Sequence, residues 1–184
     1  MQSLFFLLFS AAAFTGLYVK FGFTGNYVVY CIFFVCLIMA GIVDLRLRIL
    51  PNIINAAGLA AAFVISLVNS VMVSDPYPVF GFLAGGAACG APLLIIAFIS
   101  RRGMGMGDVK FAVLIGAFLG VYGGLCAIWL SIVLGGLYCA VLIAVKKATR
   151  KTPVPFGPFM ALGALAMVFF GDLIKPLLTG AYHV

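Results

Sequence analysis

Acid is almost absent from this chain. Its 184 residues carry four carboxylate side chains, all aspartate and none glutamate, against eleven Lys and Arg. Charged residues make up 8%, where a soluble domain has about 25%. That excludes a soluble globule, because too little polar surface exists to cover one. The net charge of +7 therefore points to cytoplasmic loops of a membrane protein, with no nucleic-acid partner expected. Histidine is equally scarce: the one copy is His183, next to last. An imidazole-dependent triad or Cys-His pair at the opposite membrane face is thereby excluded. The five cysteines (Cys31, Cys36, Cys89, Cys126, Cys139) lie inside apolar runs and form no C-x-x-C pair. They read as small apolar packing residues, and no metal site is expected.

What is there is hydrophobic length. Apolar residues make up 66% and the mean hydropathy is +1.31. A spanning helix needs roughly 20 apolar residues. Seven runs qualify as candidates: about 3–19, 26–43, 53–73, 78–100, 109–123, 125–145 and 158–174. No basic segment precedes the first run, which reads as a retained helix and not a cleaved signal. The fold expected is an all-α membrane bundle of six to seven transmembrane helices, a single domain over 1–184 with its core at about 26–174.

The loops orient it. Arg46 and Arg48 follow the second run, Arg101, Arg102 and Lys110 flank the gap after the fourth, and Lys146, Lys147, Arg150 and Lys151 follow the sixth. With seven spans these loops share one side, leaving Lys20 and Lys175 opposite. The positive-inside rule makes that side the cytoplasm and puts the N-terminus there. The basic residues read as solvated loop charges, with anionic lipid headgroups as their sharper partner.

The scarce acids now become informative. Asp44 ends the second span and Asp108 begins the fifth, 64 residues apart yet on the same expected face. Asp75 falls in an external turn, and Asp172 lies near Lys175 at a spacing that allows a local pair. Carboxylates at a bilayer are costly and need a reason. Asp44 could pair with Arg48 four residues on, and Asp108 could cap a helix beginning at Asp108 or Val109. Together they suit acid/base chemistry, because neighbouring carboxylates cannot easily both ionise and titrate as a unit. Pro51 fits the first position of the next helix. Gly103, Gly105 and Gly107 alternate with Met104 and Met106, a backbone that an extended peptide could approach. Lys110 is two residues from Asp108, off its helix face, and is not expected to activate it. Glycines four apart (Gly81 and Gly85, Gly86 and Gly90, Gly116 and Gly120, Gly120 and Gly124) suggest tight packing of the fourth and fifth spans. The fifth run is short, so the glycine-rich segment before it is expected to dip inward.

Three stretches carry a resemblance. Asp44-Leu45-Arg46 with Leu50-Pro51-Asn52, Gly103-Met104-Gly105-Met106-Gly107-Asp108-Val109-Lys110, and Val154-Pro155-Phe156-Gly157-Pro158-Phe159 together resemble the prepilin peptidases, short GxGD-type membrane aspartic proteases. The resemblance covers roughly residues 26–174. It implies that Asp44 and Asp108 are the catalytic pair and that the substrate is a prepilin-like membrane protein; the sequence shows no cofactor-binding signature, so no cofactor is expected. Cleavage of a short leader at the cytoplasmic membrane surface would follow. Long members carry two C-x-x-C pairs and also methylate the new N-terminus; this chain lacks those cysteines and resembles the short peptidase form. A presenilin-like branch fits less well, since Val43 stands where Tyr usually precedes the first Asp. Two other classes compete. One is a small proton- or cation-coupled transporter using the two aspartates, although transporters place such groups nearer the midplane. The other is a non-catalytic assembly subunit.

Overall fold

The computed structural model describes residues 2–23, 25–47, 49–99, 105–145 and 154–179, without side chains at 2–9, 26 and 174–179. Among them the chain is all helix and bend, with no strand. The helices are α1 (Gln2–Phe21), α2 (Gly25–Leu47), α3 (Asn52–Val73), α4 (Tyr77–Ile99), α5 (Met106–Ala144) and α6 (Gly157–Thr179). Four contain stretches long and apolar enough to cross a bilayer: Tyr27–Leu47, Asn52–Val73, Tyr77–Ile99 and Met106–Ala144. Gly157–Leu173 is a shorter apolar helix. Large apolar side chains such as Val64, Val71, Ile95, Phe98 and Leu137 face outward, as a lipid-solvated surface requires.

The helix count of six differs from seven runs because of α5. Its 39 residues would extend about 58 Å if straight, nearly twice the roughly 30 Å hydrocarbon core. It does not run straight. Gly120 has φ 70° and ψ −176°, a region essentially reserved for glycine. Eight residues of helix would separate Gly116 from Gly124 by about 12 Å, yet a Cβ on Gly124 would come within 2.8 Å of the Gly116 Cα. The chain therefore doubles back, and α5 is a hairpin of limbs 106–119 and 121–144. The expected runs 109–123 and 125–145 correspond to these limbs, with the break at Gly120 and not at residue 124. The first also starts earlier than expected, at Met106, so Gly107 is helical.

The glycine spacing divides into two uses. Gly85 and Gly116 sit face to face, each in the place of the other's missing Cβ, which brings α4 against the first limb of α5. Gly90 and Gly86 accept the Val113 side chain. Gly81 faces open space, and Gly120 is the turn. Around this seam the core gathers Phe33, Phe34 and Leu37 of α2, Phe111, Leu114 and Ile115 of α5, and Met160 and Ala164 of α6. Phe33 stacks on Phe118 with ring centroids 4.5 Å apart.

The helices alternate in direction, so two bundle ends result. One holds the end of α2 and the starts of α3, α5 and α6. At the other, Lys20 of α1 donates to the Val168 and Phe169 carbonyls of α6 at 2.9 and 3.1 Å and pairs with Asp172 at 2.9 Å. Asp172 is thus partnered by Lys20 of another helix; the Lys175 side chain, which spacing also put near it, lies outside the described side chains. Asp75 lies in the turn between α3 and α4, where its carboxyl accepts the Tyr77 N–H at 2.9 Å.

Candidate active site

Asp44 lies in the last turn of α2 and is only 5% exposed. A buried carboxylate there faces the unsatisfied carbonyls of its own helix, which carry partial negative charge. The compensating donor comes from elsewhere: the backbone N–H of Gly157, first residue of α6, reaches Asp44 Oδ2 at 2.8 Å. Glycine is required for that approach. A Cβ on residue 157 would lie 2.7 Å from Oδ2 and 3.1 Å from both Cβ and Cγ of Asp44. The Arg48 pairing considered for Asp44 lies outside the described residues.

Asp108 begins α5 and is half-buried. The helix cap is Gly105, extended at φ −76° and ψ 143°, so Asp108 is the third helical residue and not the cap. The Asp108 N–H donates to the Gly105 carbonyl at 3.1 Å, and its carboxyl accepts a backbone hydrogen bond from Gly105. This is the reciprocal half of a capping box, with the negative group at the positive end of the helix.

The two carboxyls lie at the same end of the bundle, where the charge of Asp44 acts on Asp108. Two side-chain contacts hold their helices in register. Lys110 Nζ donates to Asn52 Oδ1 at 2.8 Å, tying α5 to the first residue of α3. Gly107 lies against Leu50, whose Cβ would be 2.9 Å from a Cβ on residue 107. Gly107 therefore packs against the chain's own α2–α3 connection. Gly105 remains exposed, with only Asp108 Oδ2 (3.6 Å) and the Gly107 nitrogen (3.9 Å) near its missing side chain, and Met106 beside it is also exposed. Pro51 is the extended cap of α3, at φ −65° and ψ 130°, one position before the expected one. Pro155 and Phe156 are partly buried and lead into Gly157; the carbonyl of Phe156 accepts from Phe159 and Met160. Gly103 and Met104 lie outside the described residues, as does His183.

Each of the three motif stretches thus contributes a contact: the first supplies Asp44, Leu50 and Asn52, the second Asp108, Gly107 and Lys110, the third Gly157. Two carboxyls that interact at one bundle end suit acid/base chemistry, because their protons are bound in a coupled way. Among the described residues no group of three or more His, Cys, Asp or Glu could hold a metal ion. One polar residue of this end, Asn55, carried no signal in the sequence beyond lying three residues after Asn52.

Fold and site together define a polytopic α-helical membrane protein with an acid pair at one end of its bundle. The chain belongs to the type IV leader peptidase family, whose sequence profile matches residues 31–140. That span contains both aspartates and stops short of Gly157, so the third stretch is joined to the site by its hydrogen bond to Asp44. A prepilin leader peptidase/N-methyltransferase of Bacillus subtilis strain 168 is 31% identical over 170 residues, covering 91% of this chain and 65% of that protein. Proteins of the same description from Xanthomonas campestris pv. campestris and Pseudomonas putida are each 30% identical over 139 residues. They cover 73% and 75% of this chain, and 46% and 48% of those proteins. The chain thus spans between about half and two thirds of the length of these relatives. No solved structure matches.

Proposed function

We propose that this chain is a membrane aspartic endopeptidase that removes the short leader from type IV pilin-like precursors at the cytoplasmic membrane face. One observation carries the reading: Asp44 and Asp108, 64 residues apart, meet at one bundle end within electrostatic reach. Membership of the leader peptidase family supplies the substrate class.

In this reading one aspartate takes a proton from water while the other, protonated, donates to the scissile carbonyl. The Gly157 N–H holds Asp44 in place, and the Gly105 N–H does the same for Asp108. Exposed Gly105 gives an extended leader segment room beside Asp108. The precursor's apolar segment stays in the bilayer against the outward apolar faces, and its leader projects toward the basic loops. In this reading those loops, which by sequence belong to the end that bears the acids, face the cytoplasm together with the N-terminus, and the protein lies in the inner membrane. The peptidase half of the relatives' name is the half this site supports. A transporter would want its acids near the midplane, and they sit at an edge.

The test is cleavage of a purified pilin-like precursor by the purified full chain in detergent. A shortened product is expected from the wild type and none from Asp44→Asn or Asp108→Asn, with thermal unfolding unchanged. Cleavage surviving in both single variants ends the proposal, as does an inactive wild type that instead carries protons across liposomes.

A further inference from the structure

Asn55 is a polar residue of the acid-bearing end that the reaction as written leaves unused. It is 2% exposed, and neither Oδ1 nor Nδ2 has a hydrogen-bond partner among the described residues. Burying an amide without partners works against folding, the more so inside a membrane protein. The same bundle shows how a buried polar group is ordinarily satisfied: Ser131 Oγ donates to the Ala127 carbonyl one turn back, at 2.6 Å. The other buried group without a partner, Ser66, lies eleven residues further along α3, about 16 Å from Asn55 and remote from the acids.

The position of Asn55 is fixed from both sides. Three residues earlier, Asn52 accepts the Lys110 hydrogen bond. Three residues later, Gly58 presses on α5 and α2, its missing Cβ lying 2.8 Å from Leu114 Cδ1 and 3.2 Å from Cys36 Sγ. Asn55 shares that buried face of α3. It therefore sits in the seam between α2, α3 and α5, about 4.5 Å inward of Asn52. Side chains on a helix lean toward its N-terminus. The acid end is the start of α3, so Asn55 leans toward that end of the bundle. It is the end of α2, so Asp44 leans inward along its helix.

We infer that Asn55 is a positioning residue that holds the attacking water beneath the acid pair; this rests on the aspartic peptidase reading. A neutral amide offers a donor and an acceptor side by side, and a fixed water needs two to four polar partners. Asn55 and the carboxyls together supply them. Having no charge and no titration of its own, the amide orients water without competing for the proton that the acids exchange.

The experiment compares Asn55→Leu, Asn55→Thr and Asn55→Ala in the same precursor cleavage assay, with thermal unfolding alongside. Asn55→Leu removes both unpartnered atoms at similar volume, so its unfolding temperature should equal or exceed that of the wild type. Its kcat should fall at least tenfold with KM unchanged, and Asn55→Thr, which keeps a hydroxyl, should recover part of the loss. Wild-type kcat in a folded Asn55→Leu overturns the inference. So does a raised KM with kcat intact, which would make Asn55 a substrate contact. If Asn55→Leu does not fold, the other two variants decide: kcat higher in Thr than in Ala supports the water role, and equal values overturn it. Failure of the wild type to cleave at all would instead strike the peptidase reading itself.

Discussion

Gly157→Ala tests the acid pair without altering either acid. The added Cβ would stand 2.7 Å from Asp44 Oδ2 and 3.1 Å from its Cγ. Ordinary carbon contacts begin at about 3.5 Å, so the carboxyl must move by roughly 0.5 to 1 Å. That movement stretches a 2.8 Å hydrogen bond from a backbone donor to a charged acceptor, a kind worth about 1.5–3 kcal/mol. A 1 Å misplacement of a reacting group costs on the order of 100-fold in rate, or about 2.7 kcal/mol of barrier. The two estimates agree, and a fall in kcat of about 100-fold is expected. The fold should tolerate the change: residue 157 is the first of α6, its φ is not positive, and alanine favours helix. The assay is precursor cleavage by the purified variant, with thermal unfolding in parallel. Gly41→Ala is the control, on the same α2–α6 interface one turn before Asp44. Its Cβ would meet only ordinary contacts, at 3.8 Å from Ala161 Cβ and 3.9 Å from Pro158 Cα, so activity should hold within about twofold. A Gly157→Ala protein that folds and cleaves at the wild-type rate would refute the argument that this backbone donor sets the position of Asp44.

Two further outcomes follow from the fold. Gly120→Ala should lower stability by about 1–3 kcal/mol through backbone strain alone, because no atom lies within 4 Å of the added Cβ. Chemical unfolding in detergent measures it, and a neutral result would remove the hairpin turn. Lys110→Met and Asn52→Ala should each cost about 1 kcal/mol and reduce cleavage together, since they break one bond from its two ends. The double variant should then lose no more than the larger single; additive losses would show that the two residues act independently.

Burial and chain alternation were legible without coordinates. Apolar runs of spanning length, separated by basic loops, require a helical bundle in a membrane, because only internally bonded backbone is stable there. The same alternation puts Asp44 and Asp108 at one end, since each helix crossing reverses the chain. Two acids out of four could therefore be singled out from their order along the chain. The glycine spacing correctly brought the fourth span against the fifth, through Gly85 and Gly116.

Partner choice was decided only by tertiary packing. The donor to Asp44 comes from a backbone amide 113 residues away, and a backbone N–H leaves no mark in a sequence. Gly107 packs against Leu50 of the α2–α3 connection, a contact that no local pattern shows. Asp172 is reached by Lys20 of another helix, a pairing that no local spacing shows. Gly116, Gly120 and Gly124 are alike as letters; which of them turns the chain depends on which face meets α4, a property of two helices together. Local pattern determines what each segment is and how deep it lies. Which groups touch depends on how the segments pack, and packing set both the hold on Asp44 and the burial of Asn55.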